Sequence, residues 1–206
     1  PQLVIGRDAQ LSPSNQATKS RRALAQMWIA RLLVQVAEAS LFAFLLLWLR
    51  SIDPNFADNE AATIFALVLC AAVVLTLFVG RWSDRHDRPI LPLSICAILA
   101  SAGLFIMAFA DTLFGAISGY IVFAVTGSTF LALHSSQTLR VLPAPATRGR
   151  DLGFFNLTNT VPSLVMPWLT MAMVPIYGFD ALFLLLAMLS ALAAILLSQM
   201  PRQPAV

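Results

Sequence analysis

Arg31, Gln35 and Glu38 recur at i, i+4 and i+7 in a run that is otherwise apolar from Met27 to Leu49. On a helix that spacing lines them along one face. A guanidinium, a carboxamide and a carboxyl on one stripe suit either of two tasks. They can hold helices together, as an Arg31 to Glu38 ion pair or as interhelical hydrogen bonds. Alternatively they can form a binding or proton-exchange site centred on Glu38, whose carboxyl can take up and give back a proton. A second polar group, His134, Gln137, Asn156 and Asn159, falls near the ends of two later apolar runs. Its bland reading is a set of satisfied residues at the membrane interface; the sharper one is a gate. The third concentration of charge is the segment from Gly80 to Pro89, which carries Arg81, Asp84, Arg85, His86, Asp87 and Arg88.

Other chemistry finds little support. His86 and His134 are the only histidines, and neither has a cysteine or second histidine at ligand spacing, so no metal or other cofactor is expected. Ser128 does not stand in a G-x-S-G motif, and no Ser and His pair has the surroundings that nucleophilic catalysis needs. An enzyme is not expected. Cys70 and Cys96 lie inside apolar runs, where thiols behave as small apolar groups.

The elements that must position these residues follow from composition. With 59% hydrophobic and 11% charged residues and a mean hydropathy of +0.80, the chain lies outside the range of soluble domains and reads as an integral membrane protein. A bilayer core about 30 Å thick takes roughly 20 apolar residues per helix. Windows of that kind cover about 27–49, 61–79, 90–110, 114–139, 152–174 and 181–200. They are continuously apolar and lack the alternation of a lipid-facing barrel strand, so the expected class is all-α, with six transmembrane helices over 27–200. Pro162 and Pro167 predict a bend in the fifth.

Basic residues set the expected orientation. Arg7, Lys19, Arg21 and Arg22 precede the first span, Arg81, Arg85 and Arg88 follow the second, Arg140, Arg148 and Arg150 follow the fourth, and Arg202 follows the sixth. Only Arg50 falls on the opposite side, among Asp53, Asp58, Glu60, Asp111 and Asp180. Both termini are expected in the cytoplasm, and a basic cytoplasmic face accounts for the net charge of +3 without nucleic acid. Residues 1–26 read as a cytoplasmic leader or linker and 201–206 as a cytoplasmic tail; no small-residue cleavage site marks a secretory signal. Pro1, with no initiator methionine, raises the expectation of further chain upstream. In this frame Arg31 lies roughly 6 Å inside the cytoplasmic edge and Glu38 roughly 16 Å in, close to mid-depth.

The charged segment resembles the signature loop of the major facilitator superfamily, G-x-x-x-D-R-x-G-R, with Gly80, Asp84, Arg85 and Arg88 matching and Asp87 standing where glycine is usual. Arg140-Val141-Leu142-Pro143, then Arg148 to Asn156, Asn159 and Pro162, is similar to the loop and helix that open the eleventh span of twelve-helix members. The patterns that mark the amino-terminal half of many drug exporters are missing. The resemblance therefore implies a carboxy-terminal six-helix half of a major-facilitator-type bundle, with the narrower segment similar to sucrose-transporter-like and glycoside-pentoside-hexuronide branches. It further implies two inverted three-helix units, with the first and fourth spans lining a central cavity. Asp84 and its arginines would latch helix ends in one transport state; the alternative is a solvated turn that enforces topology.

The function these readings imply is secondary active transport of a small polar or organic solute by alternating access, with a proton as possible coupling ion. The partners expected are that solute, the bilayer of the cell inner membrane, and an amino-terminal six-helix half or a second copy of the chain. The alternative is a non-transporting scaffold or partner-binding subunit that keeps the fold.

Overall fold

The computed structural model describes the backbone of residues 13–86, 88–141 and 148–200, and the side chains of 22–86, 88–137 and 153–200. Within these residues the chain is entirely helical apart from its connections: α1 is Pro13–Ile52, α2 Asp58–His86, α3 Ile90–Ala108, α4 Leu113–Val141 and α5 Arg148–Ser198. All five are long and apolar enough to cross a membrane. Their outward side chains suit lipid: Phe114 is 85% exposed, and Leu67, Val73, Leu77 and Phe78 leave the outer face of α2 apolar.

Three boundaries differ from the sequence expectation. Helix α1 begins at Pro13, inside the segment read as a leader, because nothing between Pro13 and Met27 breaks a helix once Pro13 has opened it. Helix α2 continues through Gly80 to His86, so most of the charged segment forms its last turns and not a loop. Arg88 N–H donates to the Ser83 carbonyl and the Ser83 hydroxyl to the Arg88 carbonyl, both at 3.3 Å, which folds the chain back onto that helix end before Pro89 leads into α3. Lastly, the expected fifth and sixth spans occur as one helical run of 51 residues without an intervening loop.

That run is broken at one point. Gly178 has φ 78° and ψ 176°, a region open essentially to glycine alone, and there the direction of the chain changes. A straight helix of 51 residues would be roughly 75 Å long, more than twice the apolar thickness of a bilayer. Burial shows the consequence. Phe155 before the break, and Ala193, Ala194 and Leu197 after it, meet in one apolar cluster with Met27, Ala30 and Val34. Both arms of α5 thus reach the same end of the molecule.

A second cluster occupies the other end, built from Leu41, Leu45 and Trp48 of α1, Leu104 and Met107 of α3, Phe123 of α4, and Leu182, Phe183 and Leu186 of α5. Trp48 meets Phe183 edge to face at 4.6 Å. Helices α3 and α4 touch backbone to backbone. A Cβ added at Gly103 would fall 2.5 Å from the Phe123 nitrogen and 2.8 Å from the Gly119 oxygen, so only the bare glycine allows this approach. Between the two apolar clusters α4 turns polar, through Thr126, Ser128 and Thr129, at the level where Glu38 projects from α1.

Candidate functional site

Helix α1 presents the stripe that its spacing predicts, but the three residues engage different neighbours. The Arg31 guanidinium ties α1 to two helices at once. Its Nε donates to Thr158 Oγ1 at 3.1 Å and its Nη2 to Asn159 Oδ1 at 3.4 Å on α5, while Nη1 donates to Ser135 Oγ at 2.8 Å and the Leu131 carbonyl at 3.3 Å on α4. Glu38 instead accepts from Ser128 Oγ at 3.0 Å, with its carboxyl lying against the α4 backbone near Gly127. The expected alternative of an Arg31 to Glu38 ion pair therefore does not occur. Among the described residues the ion pair is Arg50 with Asp58, 2.8 Å apart, outside this stripe. Gln35 sits between them, and its Oε1 is buried without a hydrogen-bond partner.

Gln35, Glu38 and Ser128 open onto a cavity of about 380 Å³. Its remaining wall is largely aromatic and aliphatic: Phe42 from α1, Phe65 from α2, Tyr120 and Phe123 from α4, with Ser163 from the first arm of α5. Phe65 and Tyr120 meet edge to face at 5.6 Å. Neither α3 nor the second arm of α5 contributes a lining side chain; they back the wall from behind. Sequence reasoning missed Ser128, Tyr120 and the phenylalanines. Depth alone could have found Ser128, which lies on α4 at the level of Glu38. The phenylalanines carried no signal, because an apolar run looks the same whether its aromatics face lipid, core or cavity.

The family comparison adds what the geometry cannot. The profile of the Major Facilitator Superfamily matches residues 27–205. The chain belongs to the major facilitator superfamily. It is therefore an integral membrane protein of the transporter class, whose members move small solutes across the bilayer and are not enzymes. No curated protein matches it.

Within this member of the superfamily the other expected residues divide into two sets. Asn156 and Asn159 lie on the exposed face of α5, joined by a 3.3 Å hydrogen bond from Asn159 Nδ2 to Asn156 Oδ1, and Asn159 extends that contact to Arg31. His134 and Gln137 point the other way. His134 is fully buried, its Nε2 2.9 Å from the Met27 carbonyl oxygen and its ring between Phe130 and Phe155. Gln137 is buried one turn further along α4. The four were expected to act together; the structure joins Asn159 to Arg31, with Asn156 bonded to Asn159, and buries the other two. Of the signature residues, Asp84, Arg85 and Arg88 are exposed at the end of α2. Gly80 abuts Leu133, where an added Cβ would make an ordinary 3.6 Å contact, so packing within this chain does not demand glycine there.

Proposed function

We propose that the chain forms the carboxy-terminal six-helix half of a secondary active transporter that moves a small polar or organic solute by alternating access. The six crossings are α1 to α4 and the two arms of α5, counted on either side of Gly178. The observation that carries this reading is the cavity beside Glu38. It is walled by α1, α2, α4 and the first arm of α5 and holds the Glu38 carboxyl, which the lengths of the spans put near mid-depth. An ionisable group in such a place is expensive to keep for packing alone, and among the described residues no cation pairs with it. The opposite wall would come from an amino-terminal six-helix half or from a second copy. The exposed turns at Asp84, Arg85 and Arg88 would meet that partner at the cytoplasmic side of the cell inner membrane, with both termini in the cytoplasm, and would latch one of the two transport states. Asn156 and Asn159 with Arg31 form the exposed part of the candidate cytoplasmic gate, and His134 and Gln137 its buried part on α4.

Glu38 is the candidate coupling group: its proton would be exchanged as the cavity opens to one side and then the other. Glu38→Gln keeps shape and hydrogen bonding but removes titration. In the full-length protein, reconstituted in proteoliposomes, it should abolish proton-driven accumulation while solute exchange and membrane insertion persist. Accumulation at the wild-type rate would remove Glu38 from coupling. Absence of any solute movement by the wild-type protein would favour the scaffold reading.

A further inference from the structure

The cavity wall carries one sign of charge. Among the described residues Glu38 is its only carboxyl, and no Arg, Lys or His lines it. Arg31, seven residues back on the same helix, spends its donors on Leu131, Ser135, Thr158 and Asn159 and is not itself among the residues that line the cavity. One helical turn from Glu38, Gln35 holds a buried acceptor oxygen that receives no hydrogen bond. Ser128 alone among the described residues donates to the Glu38 carboxyl. Two acceptors short of donors, on one face of one helix, are complementary to a ligand head that brings N–H groups and positive charge.

The rest of the wall defines what such a head is attached to. Phe42, Phe65, Tyr120 and Phe123 line the same cavity as the carboxyl, and aromatic rings attract a cation through their faces and bury an apolar body by area. An anion would stand beside Glu38 with no cation among the described lining residues to offset it.

We infer that the cavity binds a protonated amine carried on an aromatic or otherwise apolar body. The inference rests on the reading of this cavity as a solute site and names the class of its solute. The ammonium sits between Glu38 and Gln35 Oε1, and the apolar body lies toward Phe42 and Phe65.

A charge series on one skeleton tests it. The full-length protein in lipid nanodiscs is titrated calorimetrically with 4-phenylbutylamine, 4-phenylbutanol and 4-phenylbutyrate, with empty nanodiscs as the blank. The amine should bind at least tenfold more tightly than the alcohol, and the butyrate should not bind. Glu38→Gln should weaken the amine at least tenfold and leave the alcohol within twofold; Phe42→Ala should weaken both. Glu38→Asp, which keeps the charge, should retain amine over alcohol selectivity and so guards against a folding artefact. Butyrate binding as tightly as the amine, an amine affinity indifferent to Glu38→Gln, or no amine binding to protein that still shows a cooperative thermal transition would each overturn the proposal. Counterflow in proteoliposomes separates the two readings. If the amine binds through Glu38 yet is not moved, the transport reading fails and the solute class stands. If another solute is moved through Glu38 while the amine neither binds nor competes, the class fails and transport stands.

Discussion

Arg31 and Glu38 stand on one face of α1, two helical turns apart, and are held by different neighbours. Arg31 contributes through hydrogen bonds to α4 and α5, so Arg31→Met removes donors from Thr158, Ser135 and Asn159 together. Interhelical hydrogen bonds in membranes average about 0.6 kcal/mol each, and those from charged groups are stronger, so a loss of about 1 to 3 kcal/mol is expected. The measurement is the thermal midpoint in detergent. Because the two residues share no contact, the Arg31→Met, Glu38→Gln double variant should show the sum of the single effects within about 0.5 kcal/mol. Recovery of stability in the double variant would show that the two charges compensate each other after all. His134 belongs to the packing of α1 against α4, filled by Phe130 and Phe155 and bonded to the Met27 carbonyl, and not to an open surface.

At the scale of elements, two glycines set the arrangement of helices. Gly178 lets α5 double back, and any side chain there meets the penalty of its positive φ, about 1 to 3 kcal/mol for Gly178→Ala. Gly103 brings the α3 and α4 backbones together, and Gly103→Val must push them apart, because the atoms in the way belong to backbone that cannot rotate aside. Overpacking of this kind costs about 1 to 3 kcal/mol. Both variants are expected to lower the thermal midpoint, and Gly103→Val should also distort the α4 wall at Phe123. A thermal midpoint unchanged by Gly103→Val would show that the helices do not touch there. By contrast Gly80→Ala should leave stability of this chain within about 0.5 kcal/mol, as a surface change does, since its Cβ finds room beside Leu133.

For the whole molecule, the doubling back at Gly178 and the positions of the arginines make a joint prediction of topology. In a background with Cys70 and Cys96 replaced by alanine, single cysteines at Asn55, Thr112 and Asp180 should react with impermeant thiol reagents from outside the cell. A cysteine at His86 should react only after the cytoplasmic face is exposed. Labelling of Asp180→Cys from the cytoplasm would mean that the chain does not cross six times, and labelling of Asn55→Cys from that face would invert the orientation. The same topology places the cavity between helices that lie far apart in the chain: Gln35, Phe65, Tyr120 and Ser163 come from four separate helices.

Composition alone decided the solvent of this protein, because runs of some 20 apolar residues leave backbone groups no partner in lipid except a helix's own. Spacing alone placed Arg31, Gln35 and Glu38 on one face, since helical periodicity is local, and the residues around Gly80 to Arg88 were enough to suggest the superfamily that the profile match then established. What the sequence could not decide is which neighbour each polar residue meets. Whether Arg31 pairs with Glu38 or reaches Thr158 depends on the rotation of α1 against α4 and α5, and that rotation is set by the packing of Met27, Val34, Phe130 and Leu197 from across the chain. The loop expected between the last two spans failed for a local reason of another kind: a glycine at φ 78° reverses direction within helical neighbours and needs no polar stretch to announce it. The aromatic wall beside Glu38 was hidden for the same reason that the bilayer was obvious, since Phe42, Phe65 and Phe123 contribute equally to hydropathy wherever they point, and only tertiary packing gathered them along one cavity.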